Sequence, residues 1–348
     1  MKFSIGIVGL PNVGKSTLFQ ALTKQKVDAS NYPFCTIDPN VGIVPVPDER
    51  LEKLAAVYNS EKVLPNVVEF VDIAGLVKDA HKGEGLGNKF LSHIREVDAI
   101  CQVVRGFTDP DVMHVVGRVN PESDKETINT ELAFADLSTI EKKITETEPK
   151  ARSGDKESVQ KLPVYKKVHG CLNRGQLLSQ LNITPDEHKL IKDLCLLTIK
   201  PMLYVLNVDE SEVAKQQSGY LLICAKIEAE LAELVDQERA EYLKTLGLSD
   251  SGLNRLIVEA YRLLDLITFF TSGPQETRAW TVAKGSAAPV AGGRIHGDFE
   301  ERFIRAEVAG WQDIVSCGGE TIAKTKGLVR TEGREYIVQD GDVIYFRI

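Results

Sequence analysis

A strand, a glycine-rich loop and a helix follow one another at the start of the chain, and this succession restricts the possible folds most. Residues 9–17 read GLPNVGKST and match the phosphate-binding pattern G-x-x-x-x-G-K-[ST]. Residues 3–8 predict a buried strand before the loop, and residues 16–22 predict a helix after it. In such a loop, backbone N–H groups form an anion-binding nest at the positive end of the helix dipole. The segment therefore predicts an α/β protein whose doubly wound, mostly parallel sheet binds a nucleoside triphosphate here.

The residue types inside the loop indicate separate roles. We expect the Lys15 ammonium to reach the β- and γ-phosphates, where it contributes to catalysis by neutralising charge, and the Ser16 hydroxyl to ligate Mg²⁺. The expected phosphate contacts come from consecutive loop residues, which are Asn12, Val13, Gly14, Lys15, Ser16 and Thr17.

Two further segments carry candidate groups for the metal and the γ-phosphate. Residues 67–72 form an apolar strand that ends in Asp72, and the carboxyl end of a parallel strand lies beside the phosphate loop in this fold class. We therefore expect Asp72 to hold Mg²⁺, directly or through water, and the Gly75 N–H to bond the γ-phosphate. Thr36, in a proline-punctuated loop at residues 31–39, is the candidate for closing over Mg²⁺ and the γ-phosphate. The alternative is an ordinary turn hydroxyl.

The residue after Gly75 is unusual for a hydrolase of this type. Ras-like enzymes carry there the glutamine that orients the attacking water, whereas this chain has Leu76. A hydrophobic side chain cannot position water, so another group must do so, or hydrolysis is slow. His114 and His81 are the nearby candidates, and each is alternatively a surface histidine. We favour His114 as the catalytic residue because it follows a predicted strand at residues 98–105, in a loop able to fold over the γ-phosphate.

The base-binding motif also departs from that of GTPases. A buried strand at residues 201–210 ends where GTPases carry Asn-Lys-x-Asp, whose aspartate accepts hydrogen bonds from guanine N1–H and the 2-amino group. This chain reads NVDE there. Adenine lacks both donors, so the loss of this arrangement at Glu210 removes the penalty against ATP. A GTPase in which glutamate substitutes for aspartate is the alternative. Residues 221–226 form a further strand that matches Ser-Ala-Lys, with cysteine replacing serine. The candidate base contacts are Asn207, Val208, Glu210, Cys224 and Ala225.

A helical segment interrupts the α/β pattern. Residues 123–126 predict a capping box at the start of a helix, and its apolar residues recur with the spacing of a two-helix coiled coil. A polar reversal at residues 152–155 leads to a second helix, and residues 184–187 predict the cap of a third. Between residues 141 and 174, nine basic residues outnumber five acidic ones. Such an arm could contact RNA phosphates or simply be a solvated helix surface.

The chain from about residue 268 predicts a different unit, after helices at about residues 236–246 and 252–264. It contains four short apolar runs and one short helical run, near residues 298–303. The predicted strands are residues 278–283, 304–308, 327–330 and 343–347. This pattern predicts a compact mixed sheet that grips one helix, and the absence of a catalytic constellation favours an interaction module.

These motifs together resemble the YchF / Obg-like ATPase family of Obg-related P-loop proteins. The resemblance rests on GLPNVGKST, NYPFCTI, DIAGLV, KGEGLGNKF, N-x-x-E and YIVQDGDV. It implies a nucleotide-binding domain (residues 1–122 and 199–267), an inserted α-helical coiled-coil domain (123–198) and a C-terminal β-grasp domain of the TGS type (268–348). It also implies hydrolysis of ATP in preference to GTP, and association with ribosomes. Asn12 resembles the K⁺-coordinating residue of some related enzymes, and this resemblance implies a potassium requirement.

The composition of the chain further restricts the classes of protein to which it can belong. The net charge of −8 argues against wholesale wrapping of nucleic acid, and no DNA sequence reading is expected. No apolar run approaches the ~20 residues that a membrane helix needs, so we expect a cytoplasmic protein with no membrane partner. The six cysteines show no C-x-x-C spacing, which favours reduced thiols over disulfides or a zinc site. The main hypothesis is a slow Mg²⁺-dependent ATPase that associates with ribosomes or RNA. The alternatives are an Obg-type GTPase and a nucleotide-gated scaffold with negligible hydrolysis.

Overall fold

The computed structural model describes residues 3–24, 40–73, 88–109, 112 and 119–348. In the first part of the chain the elements are β1 (Ser4–Val8), α1 (Lys15–Lys24), β2 (Val41–Pro45), α2 (Glu49–Tyr58), β3 (Lys62–Leu64), β4 (Val67–Asp72), α3 (Asn88–Glu96) and β5 (Ala99–Arg105). The middle comprises α4 (Pro121–Arg152), α5 (Lys156–Leu172), α6 (Pro185–Ile191), β6 (Met202–Asn207), β7 (Leu221–Ile223), α7 (Ala225–Leu231), α8 (Asp236–Thr245) and α9 (Gly252–Leu263). The last part comprises β8 (Leu266–Ser272), β9 (Glu276–Ala283), α10 (Ala288–Ile295), α11 (Gly297–Glu301), β10 (Arg305–Gly310), α12 (Trp311–Cys317), α13 (Glu320–Thr325), β11 (Arg330–Glu332) and β12 (Asp342–Arg347).

The first sheet has the strand order β2-β4-β1-β5-β6-β7. β2 runs antiparallel to β4 at one edge, and the other neighbouring pairs are parallel. Pro45, the last residue of β2, suits this edge position, because proline cannot donate to a strand ladder. The α/β fold with a mixed, mostly parallel sheet is therefore confirmed. Because the parallel strands end on the same side, the loops after β1, β4, β5 and β6 meet at one edge.

The long helix α4 begins earlier than the sequence predicts. The predicted capping box at residues 123–126 is wrong, because α4 starts at Pro121 and Asn120 is its N-cap. The Asn120 side chain accepts a hydrogen bond from the Ser123 N–H, 3.3 Å away. Proline suits the first helical position, where its missing N–H has no partner to lose. Asparagine before proline is therefore the stronger start signal at this site.

The helices α4 and α5 pack against each other through apolar side chains. Ala133 and Ile140 of α4 are buried in one cluster with Val164 and Val168 of α5. The predicted cap of α6 is confirmed and is a capping box, since the Thr184 and Glu187 side chains each accept from the other residue's backbone N–H.

The second sheet has the strand order β11-β10-β12-β8-β9-β3. More helices pack against it than the sequence predicts. The predicted strands near residues 278–283, 304–308 and 343–347 are present, as is α11. The strand predicted at residues 327–330 begins only at Arg330. β8 was missed, and so were α10, α12 and α13. The sheet therefore does not grip a single helix: α10 covers one face, and α2 and α12 cover the other.

The segment between β2 and β4 belongs physically to the second sheet. β3 pairs in parallel with β9 and forms the outermost strand of that sheet. Leu51 and Leu54 of α2 are buried against Phe270 and Val343 of the second sheet. The two sheets are thereby joined by a piece of chain that lies, in sequence, inside the first. None of the helices in the described ranges has the length and apolarity that crossing a membrane requires.

Candidate nucleotide site

The phosphate loop has the shape that its glycines predict. Gly14 adopts φ +92°, and a Cβ there would lie 2.2 Å from the Asn207 side-chain nitrogen. The loop continues directly into α1, whose first turn is closed by a hydrogen bond from the Leu18 N–H to the Gly14 carbonyl. Only glycine fits at this position, because both the backbone angle and the space exclude a side chain.

Lys15 is buried, with 7% of its surface exposed. Its ammonium donates to the carbonyls of Gly9 (2.9 Å) and Leu10 (2.8 Å), which curl around it. Burial lowers the pKa of Lys15 to about 8, and the nearby Asp72 carboxylate opposes that shift. A positive charge held in a confined site beside the loop suits the binding of phosphate oxygens, which would compensate for its desolvation.

The structure places Asp72 where the sheet topology predicts. It is the last residue of β4 and is paired in register with Ile7 of β1, two residues before the loop begins. Ser16 lies on the exposed side of the first turn of α1. Carboxylate and hydroxyl oxygens are ligands that Mg²⁺ prefers, so this donor set fits that ion. Thr36, Gly75, Leu76, His81 and His114 lie outside the described residues.

Asn207 has a structural role in addition to the base contact that its motif suggests. Its side-chain nitrogen donates to the Val13 carbonyl at 2.9 Å, and its side-chain oxygen accepts from the Ala225 N–H at 2.9 Å. The residue is 6% exposed. It therefore ties the phosphate loop to the two loops that follow β6 and β7. Sequence reasoning assigned it to the base but did not detect this connection.

The other candidate base residues lie around the same two loops. Val208, Cys224 and Ala225 are buried. Glu210 is exposed, and its carboxylate pairs with the Lys226 ammonium at 2.8 Å. In the sequence, Lys226 stands out only as the lysine of a Ser-Ala-Lys match. That match does not predict an ion pair with Glu210.

A cleft of about 1030 Å³ joins the phosphate loop to these base loops. Its walls include the candidates Asn12, Gly14, Thr17, Asn207, Val208, Glu210, Cys224 and Ala225. Phe107 and Thr108, after β5, also line the cleft, and sequence reasoning missed them. The Arg105 guanidinium stacks 4.4 Å from the centre of the Phe107 ring and donates to three carbonyls of this loop. An arginine that ends a buried strand was the only sequence signal for this wall.

Two protein-family models match parts of the chain. A protein-family model described as "50S ribosome-binding GTPase" matches residues 4–142. The model YchF-GTPase_C, described as "Protein of unknown function (DUF933)", matches residues 266–348. The first model spans the phosphate loop and Asp72, and the second spans the last five strands of the second sheet.

Curated relatives match from end to end. The "Ribosome-binding ATPase YchF" of Bacillus subtilis is 51% identical, with 100% of this chain and 99% of the relative covered. The protein of the same name from Escherichia coli O157:H7 is 49% identical, with 99% of each covered. A solved structure, the Schizosaccharomyces pombe YchF GTPase, superposes with a TM-score of 0.91 at 36% identity, covering 99% of this chain and 98% of that one. With such identity over its full length, this chain belongs to the YchF family.

Proposed function

We propose that this protein is a Mg²⁺-dependent ATPase that binds ribosomes and changes state with the γ-phosphate of its nucleotide. The observation that carries this proposal is the cleft at which Asn207 holds the phosphate loop against the base loops. The names of relatives about 50% identical over the whole chain support both the hydrolysis and the ribosome association.

In this proposal, catalysis is mainly electrostatic. Lys15 and the loop amides from Asn12 to Thr17 neutralise phosphate charge. Ser16, Asp72 and Thr36 hold Mg²⁺, and the Gly75 N–H bonds the γ-phosphate. The ion would supply further charge neutralisation at the β- and γ-phosphates. Leu76 replaces the usual glutamine, so His114 positions the attacking water.

The base loops set the preference for ATP over GTP. We place the base against Asn207, Val208, Cys224 and Ala225, with Glu210 at the end of the cleft. The alternative preference for GTP has support of its own, because one matching family model and one similar solved structure carry "GTPase" in their descriptions.

The remaining parts are proposed as interaction modules. Residues 1–122 and 199–267 form the nucleotide domain, residues 123–198 an inserted coiled-coil domain, and residues 268–348 a β-grasp domain of the TGS type. For RNA contact by the helical arm, the structure favours its tip over its middle. Lys166 and Lys167 are exposed but paired with glutamates, and Lys150 and Lys156 are exposed around the helix reversal.

The first test is a parallel titration with ATP and GTP, followed by multiple-turnover hydrolysis with Mg²⁺ or EDTA and with K⁺ or Na⁺. We expect tighter binding of ATP, loss of hydrolysis in EDTA, and faster turnover in K⁺ if Asn12 coordinates that ion. Lys15→Met should abolish hydrolysis, whereas Lys62→Met, an exposed lysine on β3, should not. A GTP preference of tenfold or more would establish the Obg-type GTPase instead.

Ribosome association is tested by co-sedimentation in the nucleotide-free, ADP-bound and ATP-bound states. We expect the ribosome-bound fraction to depend on the nucleotide. Absence of multiple turnover, with K⁺ and ribosomes supplied, would establish the nucleotide-gated scaffold.

A further inference from the structure

An ion pair stands at the end of the cleft where a base-reading carboxylate is expected. Oε1 of Glu210 lies 2.8 Å from the Lys226 ammonium, and both residues line the cleft. Lys226 belongs to the first turn of α7, directly after the loop that follows β7. The pair therefore links the loop after β6 to the start of α7.

The backbones that carry the two side chains are fixed by other contacts. The Val208 N–H donates to the Ile223 carbonyl at 2.9 Å, and Asn207 accepts from the Ala225 N–H. The neighbouring Asp209 carboxylate accepts from the Thr108 N–H and hydroxyl at 3.2 and 3.3 Å. Glu210 and Lys226 thus face each other from held positions, which lowers the entropy cost of pairing them.

The number of free acceptors decides which base this carboxylate fits. Guanine presents two adjacent donors, N1–H and the 2-amino group, and needs both oxygens of a carboxylate. Adenine has one donor on its pairing edge, the 6-amino group, for which a single oxygen is enough. Because Lys226 holds Oε1 of Glu210, acceptance of both guanine donors requires the ion pair to be broken or shared.

We propose that Lys226 is a positioning residue for base specificity, which disfavours guanine by occupying one oxygen of Glu210. This inference rests on the proposed nucleotide site and names a determinant of its specificity. The Lys226 and Glu210 side chains are 72% and 48% exposed, so the pair is weak and screened by salt. The expected effect is therefore modest, about threefold to fivefold in the ratio of affinities.

The test measures Kd for ADP and GDP, which share their phosphates, so that their ratio isolates the base. Lys226→Met should tighten GDP relative to ADP by about threefold to fivefold. Lys226→Arg retains a cation and should keep the wild-type ratio. In the double variant Lys226→Met, Glu210→Gln, the gain for GDP should disappear, because the freed charged acceptor is gone. Higher NaCl should shift the wild-type ratio toward GDP and leave that of Lys226→Met unchanged.

The outcomes distinguish a failure of this inference from a failure of the proposed nucleotide site. If the wild type binds neither nucleotide, the nucleotide site itself is wrong. If both bind and Lys226→Met leaves the ratio unchanged, or the double variant keeps the gain, the role of Lys226 is overturned. Thermal melting of each variant provides the control for folding, and we expect no change at so exposed a position.

Discussion

Arg50 and Asp340 are separated by 290 residues in sequence, yet Nη1 of Arg50 donates to Oδ2 of Asp340 at 2.6 Å. The same guanidinium also bonds Asp48 and lies 5.3 Å from the centre of the Phe270 ring. Nearby, the hydroxyls of Tyr58 and Tyr345 lie 2.9 Å apart. The helix α2 is thus attached to the second sheet by charge, hydrogen bonds and apolar contact together.

The first prediction concerns the packing of α2 on the second sheet. Leu54 is fully buried there, so Leu54→Ala should lower the free energy of unfolding by about 2–5 kcal/mol. Trp280 and Trp311, the only two tryptophans, both lie in the last part of the chain. Their fluorescence during urea unfolding should therefore report a lower midpoint, although the mutation lies far away in sequence.

Leu256→Ala is the matched control, because Leu256 is equally buried but lies in the core of the first sheet. If the tryptophan signal responds to Leu256→Ala and not to Leu54→Ala, the assignment of α2 to the second sheet is wrong.

The second prediction concerns pH. The pKa of Lys15 is lowered to about 8 in the folded protein, from 10.5 when unperturbed. Between these values the unfolded chain binds more protons than the folded one, so this group's contribution to stability rises with pH. Without nucleotide, the unfolding free energy of the wild type should rise relative to Lys15→Met, by at most about 1.4 kcal/mol per pH unit. Urea unfolding of both proteins from pH 7 to 10 measures the difference. A difference that stays flat across this range would contradict it.

The third prediction concerns the connection made by Asn207. Asn207→Ala leaves the Val13 carbonyl and the Ala225 N–H without their partner, which should lower the unfolding free energy by about 1–3 kcal/mol. Because the phosphate loop and the base loops are no longer held together, nucleotide affinity should fall about tenfold or more. Isothermal titration with ADP measures the affinity.

Asn129→Ala serves as the control for this prediction. Asn129 donates to the Tyr204 hydroxyl at 3.1 Å, on the first sheet and outside the cleft walls. It should lose stability while retaining nucleotide affinity. An equal loss of affinity in both variants would show that Asn207 acts only through general stability.

The fourth prediction concerns the base of the helical segment. The fully buried Asp136 carboxylate accepts from the Leu197 N–H, the Thr198 N–H and the Thr198 hydroxyl, all within 2.8 Å. Asp136→Asn puts an amide donor against one of these donors, so stability should fall by about 2–4 kcal/mol. Asp193→Asn, at an exposed position, should change stability by less than about 0.5 kcal/mol. Chemical unfolding followed by circular dichroism compares the two, and equal midpoints would refute the role of Asp136.

Much of the first sheet could be predicted because its signals are local. Apolar runs predicted its strands, and the order of a doubly wound sheet placed Asp72 beside the phosphate loop. β3 could not be predicted in the same way, because it has three residues and its partner β9 lies far along the chain. The starts of α4 and β11 differ from prediction by a few residues, which is common at element ends.

The candidate site also combines residues that a local motif predicts with residues whose roles depend on distant contacts. The phosphate-loop residues follow from one motif, whereas Asn207, Glu210 and Lys226 depend on contacts between loops. A motif shows that an asparagine is present, but not that its amide is occupied by Val13 and Ala225. Phe107 was missed because no motif marks it, and its position depends on the stacked Arg105.

The pairing of β3 with β9 has a consequence for protein synthesis. When residues 1–265 have emerged, α2 still exposes Leu51 and Leu54, and β3 has no partner strand. Cotranslational folding of the first part must therefore remain incomplete until the last part is made, since contacts of large sequence separation form late. A cut near residue 265 leaves neither fragment with a full core, so the separately expressed fragments 1–265 and 266–348 should be prone to aggregation.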